Sequence, residues 1–147
     1  MNNLSIELHV PDFQVAIDFY KVLGFKVVWV SEEYLVLNRG NTALYFYGGT
    51  KEVLGHSYFG NFPKDTKRGY AVEIILYEKN IKELYNRIKD KVKVVEELKL
   101  KPWGKWDFRI EDPFGFYLRI GEPDDIVNDE EFIKQSDNIA KKKGLVL

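Results

Sequence analysis

The chain offers few residues that could do chemistry. His9 and His56 are its only histidines and it has no cysteine, which removes thiolate ligands, a cysteine nucleophile and disulfides together. No serine stands in a recognisable Ser–His–acid arrangement. Gly48-Gly49 lacks the Gly-x-x-x-x-Gly-Lys context of a phosphate-binding loop. Glu7 and His9 lie two residues apart and so share a strand face, and with Glu73 they sketch a makeshift metal site. A lone histidine at a strand end is, however, more often a hydrogen-bonded rim residue than a ligand. What the chain does have is aromatic surface, with three Trp, nine Tyr and ten Phe. Most must fill the core; the informative ones lie in alternating strands, where their neighbours reveal the face they occupy. Tyr45, Tyr47, Tyr77 and Tyr117 fall on the same parity as Ser5, Glu73 and Arg119, opposite the residues that pack on helices. Such a surface suits a flat, partly cationic or aromatic ligand held by stacking and cation–π contacts of about 0.5–2 kcal/mol each.

The elements that position these residues can be read from periodicity. Leu4, Ile6, Leu8 and Val10 alternate with Ser5, Glu7 and His9, the period of a strand with one apolar and one mixed face. Asp12 is placed to cap a helix carrying Phe13, Ala16, Ile17, Tyr20 and Leu23, and Gly24 to end it. Strands are expected near 25–31, 33–38 and 43–48, with Asn38-Arg39-Gly40-Asn41 as the turn between the last two. The order then repeats. Val72, Ile74 and Leu76 mark a strand, and Ile81, Leu84, Tyr85 and Ile88 a helix with Asn80 as its cap. Strands near 92–99, 106–111 and 116–121 follow, the last two joined by Asp112-Pro113-Phe114-Gly115. Trp103 and Trp106 flank Gly104 before the middle strand. Trp103 is expected at the rim, and Trp106 either projects over the ligand or alternates with Phe108 into the core.

A repeat of roughly 65–70 residues is longer than those of solenoids, so it implies two fused modules, 4–48 and 71–121. If their sheets curl, the mixed faces line a cup. The linker 49–70 fits neither module. It is long for a loop in a compact domain, and it reads either as a tether or as a flap carrying Tyr58, Phe59 and Phe62 over a ligand. The tail 124–147 starts acidic, ends basic, and contains a short helix around 130–140 whose charge order suits a helix dipole. Its sparse apolar positions suit docking on the body or on a partner.

At 147 residues the chain is one domain's worth, long enough for a real core. A net charge of −1 gives no reason to expect nucleic acid or an anionic membrane as partner. No apolar run approaches the ~20 residues of a membrane span, and no secretory signal is read at the N-terminus. A cytoplasmic protein is the default expectation.

The runs VPDFQVAIDFYKVLGF and PWGKWDFRIEDPFGFYLRI, together with the paired modules, resemble the vicinal oxygen chelate superfamily. That superfamily includes glyoxalase I, extradiol dioxygenases and bleomycin-resistance proteins, and the likeness covers residues 4–122. It implies an α+β fold of paired βαβββ modules, with curved mixed sheets forming a cup, in one domain over 1–123 ahead of the helical tail. It also implies a homodimer whose cups lie at or near the subunit interface. Enzymes of the superfamily hold a divalent metal at four strand positions, which correspond here to Ser5, Tyr45, Glu73 and Arg119. Only Glu73 is an ordinary ligand, and a guanidinium repels a divalent ion. The four side chains are expected to converge, with Arg119 paired to Glu73 or Glu7 and the Tyr45 hydroxyl close by.

The resemblance therefore implies a metal-free, cofactor-free, dimeric binding protein of the bleomycin-resistance kind, taking a small aromatic or glycopeptide-like ligand. Glu7, His9, Tyr45, Tyr47, Glu73, Tyr77, Trp103, Trp106, Tyr117 and Arg119 form the expected ligand-binding set, with no catalytic residue. Two other readings stay open at this point. One is a metal-dependent lyase, isomerase, dioxygenase or thiol transferase with an unconventional site; the other is a non-catalytic partner-binding module.

Overall fold

A computed structural model of the protein describes residues 4–49 and 52–147. Positions 1–3 of the expected domain and 50–51 of the expected linker lie outside the described residues. The first module runs β1 (Ile6–His9), α1 (Phe13–Val22), β2 (Lys26–Val30), β3 (Tyr34–Arg39) and β4 (Thr42–Tyr47). The second runs β5 (Ile74–Tyr77), α2 (Ile81–Ile88), β6 (Lys93–Leu100), β7 (Trp106–Glu111) and β8 (Tyr117–Gly121). A third helix, α3 (Glu130–Lys143), follows. Each module makes a four-stranded sheet, ordered β1-β4-β3-β2 and β5-β8-β7-β6. Within each sheet the first-named pair is parallel and the others antiparallel. The helix of each module belongs to the connection that a parallel pair requires. The fold is thus the expected α+β pairing of βαβββ units.

Local chemistry explains the boundaries. The Asp12 carboxylate accepts from the Val15 amide at 3.0 Å, opening α1. Gly24 closes it with φ at +91°, a conformation costly for any residue with a Cβ. Asn80 does not cap α2 as expected. The Glu78 carboxylate instead accepts from the Asn80 amide at 2.8 Å, ordering the entry without a side-chain cap.

Both modules contribute to one hydrophobic core. Leu8, Val10, Tyr20, Leu35, Leu44 and Phe46 join Ile74, Leu76, Phe108, Ile110, Leu118 and Ile120 in a single buried cluster. Polar contacts also join the modules. The Tyr20 hydroxyl of α1 donates to Asp112, in the turn between β7 and β8, at 2.9 Å. Arg39, at the end of β3, pairs with Glu78 just beyond β5. Since alternate residues of β3, β4, β5, β7 and β8, and Leu8 of β1, enter this core, their neighbours in each strand must face away from it. Among the described residues no helix is long and apolar enough to cross a membrane.

Candidate functional site

The outward face of the first sheet is an aromatic wall around one carboxylate. Register sets Glu7 beside Tyr45, His9 beside Tyr47, and Tyr34 across from Tyr47. The Tyr34 ring lies 6.2 Å from that of Tyr45 and 6.3 Å from that of Tyr47. A register shift between Val27 and Trp29 aligns Trp29 with Val36, where its ring stands 6.1 Å from Tyr34. The Glu7 carboxylate receives the Tyr34 hydroxyl on one oxygen and lies 3.1 Å from His9 Nε2 through the other. Burial, with the Glu7 carboxylate as acceptor, pushes the Tyr34 hydroxyl up to about 12. Trp29 remains 54% exposed, so the wall is open to a ligand.

The equivalent face of the second sheet is built from charges. Arg109 and Arg119 sit directly opposite each other on β7 and β8, an arrangement that repels unless an anion intervenes. Glu73 supplies it, accepting from Arg109 Nε at 3.3 Å and lying 3.6 Å from Arg119 Nε. Arg109 also donates to Glu96, and to buried Asp107 at 3.3 Å. Lys101, 8% exposed, reaches Glu96 at 2.6 Å and Asp107 at 3.4 Å. Hydrogen bonds from Lys101 and Lys99 hold the Glu96 carboxyl at about 2, far below its usual range. Beside this network, Ile75, Tyr77, Trp103 and Arg119 border a water-sized recess of about 30 Å³. A larger hollow of about 450 Å³ lies between α2 and β6, lined by Tyr85, Lys89, Asp90, Val94, Glu97 and Leu98. None of the expected site residues borders it.

Arg119 meets Glu73 as expected, and the other two metal-ligand positions, Ser5 and Tyr45, belong to the first module. Tyr45 contacts Tyr34 in the first sheet, while Glu73 and Arg119 belong to the second. Among the described residues no hydrogen bond or ion pair links Ser5 or Tyr45 to that pair. The donor set does not fit a divalent ion, because its single carboxylate is already shared by two guanidiniums. Among the described residues no group of three His, Asp or Glu side chains is placed to hold a metal.

The linker is seated on the rim of the aromatic face. The His56 ring lies 5.0 Å from His9, and Phe59 lies 5.2 Å from His9 and 4.7 Å from His56. His56 Nδ1 accepts from the amides of Tyr58 and Phe59 at 3.1 and 3.2 Å, starting a 3-10 turn over Phe59–Asn61. Tyr58 and Phe62 contact each other at 5.5 Å and stay exposed. Among the described residues, Phe59 is the flap aromatic whose ring contacts the site face, at His9.

His9 carries a consequence for pH. Its Nε2 faces Glu7, while Nδ1 is buried with no hydrogen-bond partner among the described residues. Desolvation lowers its pKa below 6.5, the neighbouring His56 acts the same way, and the Glu7 carboxylate opposes both. A folded pKa below the unfolded one means that the unfolded chain binds the proton more readily. His9's contribution to stability is therefore complete above pH 6.5 and falls as the pH drops below it. Only two imidazoles exist in the chain, so an NMR titration resolves both, and the His9→Gln variant assigns them. His9 should titrate below 6.5; a midpoint above that value would show that Glu7, not burial, dominates.

The structure places eight members of the expected ligand-binding set on the two outward faces: Glu7, His9, Tyr45, Tyr47, Glu73, Tyr77, Tyr117 and Arg119. Trp103 borders the recess in the loop before β7. Trp106 borders the same recess. Its ring packs on the core, with Lys82 of α2 at 4.2 Å above it, so it alternates with Phe108 toward the helix side. Sequence reading missed Trp29, Tyr34, Glu96, Lys101, Asp107 and Arg109. Arg109 was within reach, since it alternates with buried Phe108 and Ile110.

Comparison with known proteins agrees with this fold. Residues 4–120 match the model of the Glyoxalase/Bleomycin resistance protein/Dioxygenase superfamily. Among curated proteins, none matches. Solved structures with the same fold include a bleomycin resistance determinant encoded on transposon Tn5, 21% identical, with a TM-score of 0.60 over 84% of this chain and 99% of that one. A bleomycin-binding protein complexed with bleomycin is 21% identical, with a TM-score of 0.55 over 84% of this chain and all of that one. A protein of unknown function from Agrobacterium tumefaciens str. C58 is 18% identical, with a TM-score of 0.68 over 84% of this chain and 94% of that one. These structures are covered almost completely while about a sixth of this chain is left over, a share that matches the segment after Pro123 in size. With the repeated βαβββ order, the paired sheets and a match over most of its length, the chain belongs to the glyoxalase/bleomycin resistance protein/dioxygenase superfamily.

Proposed function

We propose that this chain is a metal-free, dimeric binding protein that sequesters a small, flat, cationic compound without transforming it. The observation that carries the reading is the Glu7 carboxylate set against Tyr34 and beside Tyr45, with Trp29 and Tyr47 close by. A carboxylate among ring faces attracts an organic cation twice, by charge and by the rings' quadrupoles. The charged face of the second module supplies hydrogen-bond donors and acceptors for a ligand's polar groups. Both faces are open in one chain, with Tyr77 and Trp103 each 52% exposed, and pairing with a second copy would close each into a cleft. The bleomycin-bound relative supports a ligand of this general kind.

Calorimetric titration with metal-free bleomycin, and with ethidium as a simple flat cation, tests the reading. Saturable binding is expected, with stabilisation of about 2.7 kcal/mol at 100-fold excess over Kd. Light scattering should give twice 17.3 kDa. Absence of binding to both probes, stoichiometric uptake of Zn²⁺ or Ni²⁺, or a monomer across micromolar concentrations would each overturn the corresponding part.

A further inference from the structure

The two histidines of the chain meet at the rim of the aromatic face, and each is placed to act uncharged. His9 Nε2 lies 3.1 Å from the Glu7 carboxylate, so that nitrogen carries the proton and Nδ1 is left as the bare acceptor. Nδ1 is buried and has no hydrogen-bond partner among the described residues. A second proton on this ring would therefore place an N–H donor where nothing accepts it. His56 is committed through its own Nδ1, which accepts from the amides of Tyr58 and Phe59 at 3.1 and 3.2 Å. A proton there would turn the acceptor into a donor pointed at two donors. It would also put a positive charge beside His9, whose ring centre is 5.0 Å away.

These two rings lie where residues 56–62 meet the face. The hydrogen bonds of the segment are local. The Gly60 amide donates to the His56 carbonyl at 2.9 Å, the Asn61 amide to that of Tyr58 at 3.2 Å, and the Phe62 amide to that of Phe59 at 3.1 Å. The Asn61 side chain tightens the same turn, donating to the Ser57 carbonyl at 2.8 Å. Among the described residues no hydrogen bond or ion pair ties 56–62 to either sheet. Rings make the join instead: His56 and Phe59 each stand at 78° to His9. Tyr47 of β4 also lies against His9, at 5.1 Å. Glu7, which receives the Tyr34 hydroxyl from β3, is the carboxylate that faces His9, and among the described residues no ion pair reaches His56.

We propose that residues 56–62 form an acid-released strap, seated on the His9 end of the aromatic face while both imidazoles are neutral and freed when the pair is protonated. The sign follows from where the proton is held better. Once the segment lifts and its turn opens, His9 Nδ1 meets water and His56 no longer has to accept. The released state therefore binds protons more readily than the seated one, so release is suppressed above the ordinary histidine range and promoted below it. Desolvation holds His9 below 6.5 in the seated state, which is the same direction. Each pKa unit between the two states is a tenfold change in the opening equilibrium. The strap covers one end of the face proposed to hold a ligand, but its test needs no ligand, so the two readings fail separately.

Hydrogen–deuterium exchange of the full-length protein, read by mass spectrometry and corrected for the intrinsic pH dependence of exchange, supplies that test. The peptide carrying the amides of Tyr58 to Phe62 should lose about tenfold in protection between pH 7.5 and pH 5, while a β4 peptide keeps its own. His9→Gln keeps a donor for Glu7, and His56→Asn keeps an acceptor at the position of Nδ1, yet neither new side chain titrates. The double variant should therefore hold the strap equally at both pH values. Equal protection at both pH values in the parent chain, the same acid loss in the double variant, a double variant unprotected at pH 7.5, or a loss shared with β4 would each overturn the proposal.

Discussion

Replacing Asp112 by alanine is expected to cost about 3–5 kcal/mol of folding stability, because it strands two buried donors and a third that is partly buried. Asp112 is 3% exposed. It accepts from the Tyr20 hydroxyl at 2.9 Å and from the amides of Phe114 and Phe116 at 2.9 and 2.8 Å. Burial pushes its carboxyl up, and these hydrogen bonds work in the opposite direction. Tyr20→Phe removes one donor and leaves the turn intact, so it should cost only about 1–2 kcal/mol. Asp112→Asn keeps an acceptor for the two amides and should fall between them. The contact spans 92 residues of chain and joins the modules, so the loss should appear as one cooperative transition shifted to lower urea, with an unchanged slope. In a domain of this size the alanine variant should melt about 10 °C lower. A loss under about 1 kcal/mol would mean that water replaces the carboxylate and that the turn is not held from α1.

Glu7→Gln is expected to weaken ethidium binding by about 30-fold, roughly 2 kcal/mol, while leaving its neutral parent phenanthridine almost unaffected. The carboxylate provides the net charge of the aromatic face, and the amide that replaces it keeps size but not charge. Trp29→Ala should weaken both probes by about tenfold, since stacking does not depend on ligand charge. Neither substitution should change stability by more than about 1 kcal/mol, because Trp29 and Glu7 are both partly exposed. If the Glu7→Gln variant binds ethidium within twofold of the parent, the cation is recognised elsewhere or not at all.

How much of this could be read from sequence follows from what alternation encodes. Period two assigns each residue to a face, so Glu7, Glu73, Tyr117 and Arg119 could all be placed opposite the core. It does not encode how two sheets stand to one another, which is set by the shared packing of residues such as Phe46 and Phe108. Alternation therefore puts the four ligand positions on outward faces, while the Glu73–Arg119 and Tyr34–Tyr45 contacts come from how the strands pack. Trp29 was illegible for a different reason: a one-residue irregularity reverses the face of everything beyond it. Arg109 had the right parity, but choosing it as the centre of the network requires knowing that Arg119 stands across from it.

The carboxylate shared by two guanidiniums also sets the distance, in substitutions, between this cup and a metal-binding one. Arg119→Glu alone would restore a second carboxylate, but Arg109 would remain within 3.3 Å of Glu73 and claim it. Removing Arg109 as well would leave buried Asp107, together with Glu96, relying on Lys101 and Lys99. Each single step is unfavourable until the others are made. Interconversion of the two kinds of site therefore requires coordinated changes on β7 and β8, and a library that varies one position at a time should not find it.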